Sequence, residues 1–113
     1  MKPTLKKRLL DALTACRVIQ DFIVDRAFAD YERNLMLRSA VERQFEIIGV
    51  ALNQAEMEDS ELAVTSPALR RIVGLRNRII HGYDSVDDQL LWQVVKTHVP
   101  ALAQQLEQLL TSE

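Results

Sequence analysis

The sequence predicts an all-α fold, an antiparallel bundle of four to five helices, on three grounds. Its apolar residues recur at intervals of three, four and seven, the period of a helix face packed on a core. It has no strand-like run of alternating or continuous apolar residues from which a sheet could be built. Helix-start signals stand where that periodicity restarts, at Ser66-Pro67 and at Ser85-Val86-Asp87-Asp88.

In chain order, the first helix is expected from about Thr4 to Val24. Leu5, Leu9, Ala12, Leu13, Cys16, Ile19, Phe22 and Ile23 form its stripe, and charge occupies the other face. Cys16 on that stripe reads as packed core, because an apolar setting raises a thiol pKa and quenches its reactivity. Asp25 to Asp30 reads as a short connection. A second helix follows from about Tyr31 to Glu56, with Leu37, Val41, Phe45, Ile48, Leu52 and Ala55 in the clearest amphipathic pattern of the chain. Beside its stripe lie Glu42 and Glu46, one turn apart. They are either solvated partners of Arg38 and Arg43 or a carboxylate for an arginine on a facing helix.

Met57 to Thr65 is acidic and reads as a loop. Ser66 as N-cap and Pro67 at the first helical position open a third helix that runs to His81, with Gly82 suited to the left-handed stop. Ser85 can cap a fourth helix, whose positive end suits Asp87 and Asp88. Its stripe of Leu91, Val95, Val99, Leu102, Leu106 and Leu109 keeps one register through Pro100. Proline removes a backbone hydrogen bond, so a kink or break is expected near His98 to Pro100. Trp92 reads as packing, and His98 as a polar residue at a helix end.

Composition narrows the function. With 113 residues, 48% hydrophobic and 5% aromatic, the chain reads as one domain over residues 1–113 with a modest core that a second copy would help stabilise. The formal net charge is −2, so any nucleic-acid site must be a local basic patch. One cysteine allows no internal disulfide and suits a reducing, cytoplasmic setting. The apolar runs are too short to span a membrane, and no signal-peptide core is apparent. Two histidines seventeen residues apart do not supply a clustered metal site. No glycine-rich phosphate loop and no nucleophile elbow appears, so no cofactor or metal is expected.

What stands out is Arg76-Asn77-Arg78-Ile79-Ile80-His81-Gly82-Tyr83. Arg76 falls inside the apolar stripe of the third helix, among Leu69, Ile72, Val73, Ile79 and Ile80. A guanidinium does not lose its proton and is costly to bury alone. It must snorkel to water along its methylenes or reach a carboxylate or a phosphate. His81 is a helix-end imidazole or a base titrating near neutrality. Tyr83 is a lid packed on the bundle or a site residue. Arg70, Arg71, Asn77 and Arg78 place further donors on the same helix, as a solvated face or as phosphate contacts. A fixed cation beside a group that titrates near neutral pH is what RNA cleavage without a metal requires.

This run resembles the R-x4-H-x-Y motif of the HepT toxins of HepT–MntA toxin–antitoxin systems, in the all-helical HEPN superfamily. The likeness extends from Val73 to Leu110 and, upstream, over Ala40 to Leu52. One departure is Val50, where the family pattern has a glutamate after the glycine.

The resemblance implies a HEPN-like homodimer acting as a metal-independent endoribonuclease toxin. Arg76 would hold the scissile phosphate and His81 would transfer protons, leaving a 2′,3′-cyclic phosphate. The antitoxin would be an MntA-like minimal nucleotidyltransferase that adenylylates Tyr83. The rival reading is a non-catalytic HEPN subunit that binds nucleotide or substrate for a separate nucleotidyltransferase. A plain helical interaction protein is a third.

Overall fold

The computed structural model describes residues 1–80 and 84–112. Among them six helices follow one another: α1 (Pro3–Ile23), α2 (Phe28–Arg33), α3 (Leu35–Glu58), α4 (Leu62–Thr65), α5 (Pro67–Ile79) and α6 (Asp88–Thr111). The four long ones are those the periodicity predicts.

α1 buries the predicted stripe from Leu5 to Ile23, apart from Phe22, which is only partly buried. Cys16 lies in the core, and burial pushes its thiol pKa up to about 12. The chain then turns through Asp25, whose φ of 59° is a left-handed conformation that aspartate tolerates. The expected connection and the start of the second helix become α2, which packs Phe28 and the buried Tyr31 against Trp92. α2 is separated from α3 at Asn34. There the backbone is extended and the side-chain oxygen accepts from the Leu37 amide at 3.0 Å, so a cap and a helix break coincide. Within the expected acidic loop, α4 forms one short turn around the buried Leu62.

Three polar contacts define the packing sense. The Thr4 hydroxyl donates to Glu58, joining the start of α1 to the end of α3. Arg17 pairs with Glu107, whereas Ile23 and Val24 lie beside Val95 and Pro100, so α1 and α6 are antiparallel. The Gln105 side chain accepts from the Ala68 amide at 3.0 Å, setting the end of α6 against the start of α5.

That last contact revises one expected cap. Ser66 occupies the N-cap position of α5, but its hydroxyl makes no capping bond and is buried without a partner among the described residues. Gln105 serves the helix end instead. Likewise Asp87, and not Ser85, caps α6 by accepting from the Leu90 amide at 3.0 Å. α6 is a single helix through Pro100, so the chain is not broken there, and His98 sits inside the helix with its ring beside the Thr97 hydroxyl. The apolar face on both sides of Pro100 is buried, which outweighs the roughly 3 kcal/mol that an interior proline costs through its lost bond and its clash with the preceding turn.

α5 ends at Ile79, two residues earlier than expected. Ile80 is extended and forms an antiparallel bridge with Val86, while the Asp87 amide donates to the Ile79 carbonyl at 2.8 Å. The readings of His81 as a helix-end residue and of Gly82 as a stop lie outside the described residues. No described helix is long and apolar enough to cross a membrane.

Candidate active site

α5 turns Arg76 toward α3, and α3 is shaped to receive it. The guanidinium pairs with the Glu46 carboxylate, the second of the two carboxylates that the α3 pattern offered. One helical turn on, the Arg76 side chain lies across Gly49. A β-carbon there would come under 3.0 Å from Arg76 Cδ and Nε, closer than real packing allows. A mid-helix glycine costs about 1 kcal/mol relative to alanine, and here the missing side chain is the space the arginine occupies.

Arg76 and Glu46 are each about one-third exposed, 34% and 31%. A pair that open contributes roughly 0–1 kcal/mol to stability, so its value is positional: it fixes a cation at the protein surface. The alternative of an arginine snorkelling freely to water is therefore set aside. Arg76 Nε is buried with no acceptor among the described residues.

Glu42, one turn earlier, has a different environment. It faces Asp88 at the start of α6 and the Tyr31 hydroxyl, with Arg38 the nearby cation. Burial first, and Asp88 second, hold its carboxyl above the ordinary carboxylate range, and Arg38 opposes them. Arg38 Nε lies 3.9 Å from Asp88 and its guanidinium also donates to the Glu32 carbonyl. Of the two arginines offered as partners along α3, Arg38 acts on Glu42, and Arg43 pairs with no carboxylate among the described residues.

The other predicted donors of α5 do not share the Arg76 side. At about 100° per residue, Arg71 and Arg78 point roughly 140–160° away from it. Arg70, Arg71, Asn77 and Arg78 are exposed. Arg70 and Arg71 border a shallow surface groove with Val64, Pro67 and Gly74. His81 and Tyr83 lie outside the described residues, although Ile80 and Val86, which flank their segment, are bridged. Trp92 packs among aromatics as expected, with the Lys96 ammonium 5.6 Å above its ring.

Sequence reasoning did not assign a structural role to Gly49. The available signal was a glycine inside the most regular apolar stripe of the chain, which marks close approach by another element. Val50 beside it is 46% exposed, so the carboxylate on Arg76 comes from Glu46, one turn before the position where the family pattern has its glutamate.

Residues 12–109 match the family model described as HepT-like, ribonuclease HepT-like. A protein of Methanocaldococcus jannaschii named "Putative RNase MJ1380" is 35% identical over 106 residues, covering 94% of this chain and 96% of the relative. "Probable ribonuclease HepT" of Thermococcus cleftensis is 32% identical over 109 residues, covering 96% and 98% of the two chains. No solved structure gives a significant match. With nearly the whole chain matched and its motif arginine held on α3, this protein belongs to the HepT-like ribonuclease family.

Proposed function

We propose that the protein is a metal-independent endoribonuclease, the toxin of a pair whose antitoxin is a minimal nucleotidyltransferase. The observation that carries this reading is Arg76: a permanent cation, held by Glu46 over the Gly49 notch and still one-third open to solvent. Such a group suits a phosphodiester whose oxygens gain charge during reaction, because a preorganised donor needs no reorganisation as that charge develops.

The chemistry then runs through the RNA's own 2′-hydroxyl. His81 accepts its proton, the 2′-oxygen attacks the adjacent phosphorus, and the bond to the 5′-oxygen breaks. That oxygen leaves with a proton from a general acid, and the products are a 2′,3′-cyclic phosphate and a 5′-hydroxyl. Arg76 neutralises the non-bridging oxygens throughout. Tyr83 positions RNA and is the control point: nucleotide phosphate attached there adds bulk and negative charge that compete with RNA for Arg76. A second copy of the chain supplies the other wall of the cleft, and the protein works in the cytoplasm.

The test is expression of the wild type and of His81→Ala, each with and without a cognate nucleotidyltransferase, following growth and the ends of cellular RNA. The expected result is arrest with new cyclic-phosphate ends that require His81 and disappear with the partner. Absence of cleavage, with nucleotide binding by the purified protein retained, would assign the chain to the accessory-subunit reading. Cleavage at full rate by a variant locked as a monomer would overturn the shared cleft.

A further inference from the structure

Beside the Arg76–Glu46 pair, a groove of about 430 Å³ runs between α1 and α3, and Glu46 is part of its wall. We infer that this groove is a nucleotide subsite. It seats a base of single-stranded RNA next to the phosphate at Arg76, and Arg8 and Arg43 contact the flanking backbone. The proposal rests on the reading of Arg76 as a phosphate site.

Charge is the first argument. The groove contains Arg8, Asp11, Arg43 and Glu46. Asp11 is paired with Lys7 at 2.9 Å and Glu46 with Arg76, so both carboxylates are answered. Arg8 and Arg43 have no carboxylate partner among the described residues. The lining itself balances, two arginines against two carboxylates, but Lys7 and Arg76 neutralise those carboxylates from outside it and leave the two groove arginines unpaired. Two arginines left without a carboxylate in one concavity of an acidic protein suit phosphate oxygens there better than a general surface attraction would.

The lining gives the second argument. Ile47, Val50, Ala51 and Ala15 form an apolar floor, with Val50 46% exposed. Gln44, Gln54 and Thr14 add side chains that both donate and accept. An apolar floor for a ring, amides for base edges and arginines for phosphates are the components of single-strand recognition. The volume falls within the roughly 300–1,000 Å³ of ligand pockets. The groove at Arg70 and Arg71 lies on the far side of α5 and shares no residue with the Arg76–Glu46 pair.

The test uses the full chain and a labelled 2′-O-methyl RNA 12-mer of mixed sequence, which lacks the attacking hydroxyl and so reports binding apart from cleavage. Affinity is measured by fluorescence anisotropy against salt for the wild type, Arg8→Ala/Arg43→Ala and the charge-matched control Arg26→Ala/Lys96→Ala, with mass in solution measured in parallel. Losing two single-strand phosphate contacts should reduce the slope of log K against log salt by about 1.4. It should also weaken binding at least about tenfold, while the control stays near wild type. An unchanged slope in the double variant overturns the subsite. So does a change of oligomeric mass without a change of slope, which would give the groove to a second copy of the chain. If the groove variant loses binding while the wild type fails to cleave unmodified RNA, the subsite stands and the ribonuclease reading falls.

Discussion

Glu42 and Glu46 stand one turn apart on the same helix and have opposite fates. Glu46 meets a single arginine across a helix–helix contact, one-third in water, with a glycine in place of any side chain in the arginine's path. Glu42 meets a second carboxylate, Asp88, and a buried tyrosine hydroxyl, with Arg38 to offset them. The first arrangement leaves a cation oriented and reachable. The second sets two carboxylates against each other where α3 meets α6, an electrostatic cost that Arg38 offsets. Carboxylates in one register can thus serve a site or strain a joint, according to which helix end arrives opposite them.

Arg76→Ala is the sharpest way to break this comparison. It removes the proposed charge stabilisation and should lower kcat for RNA cleavage by roughly 10²–10³-fold, with little change in melting temperature because the pair is so open. A variant that cleaves normally would end the site assignment.

Glu46→Gln and Gly49→Ala come next, since both leave Arg76 present but misplaced. Misplacement by about 1 Å can cost up to 10²-fold in rate, so each should lose roughly ten- to a hundred-fold in cleavage. Gly49→Ala should keep or slightly raise stability, because the flexible end of Arg76 can swing aside into solvent while alanine gains up to about 1 kcal/mol in helix propensity. Thermal melts beside single-turnover rates separate the two effects.

Glu42→Gln should do the reverse, leaving cleavage intact and raising the melting temperature at neutral pH. The sign follows from linkage. The folded-state pKa of Glu42 is raised, so its favourable contribution is present below the ordinary carboxylate range and is lost as pH rises through the folded value. The advantage of the glutamine should therefore grow as pH rises out of the ordinary carboxylate range and vanish below it. Loss of cleavage in Glu42→Gln with none in Glu46→Gln would invert the two roles.

The smallest effect is expected for Tyr31→Phe. The Tyr31 hydroxyl is buried without a partner among the described residues, so deleting it should be neutral or stabilising by up to about 1 kcal/mol in a denaturant titration. A marked loss of stability would show that the hydroxyl is hydrogen-bonded in solution.

Much of the fold was present in the spacing of apolar residues. The α1 and α3 stripes and the register carried through Pro100 were readable because burying one helix face stabilises by far more than a single proline costs. The helix ends were harder. Ser66, Ser85 and Gly82 all had suitable chemistry, yet α5 is served by Gln105 from another helix, α6 by Asp87, and α5 ends at the bridge of Ile80 with Val86. Caps depend on local geometry that several neighbouring residues could satisfy equally well.

The sequence by itself determined that the protein is helical, that an arginine would lie in an apolar stripe, and that the arginine must either snorkel to water or find a partner, because hydrophobic period and the cost of burying a charge are properties of one segment at a time. Only the tertiary structure decided that the partner is Glu46 and not Glu42, that Gly49 makes room for the side chain, and that Arg8 and Arg43 frame a groove beside it. Those outcomes depend on the rotation of each helix about its own axis, which the packing of all four long helices settles together.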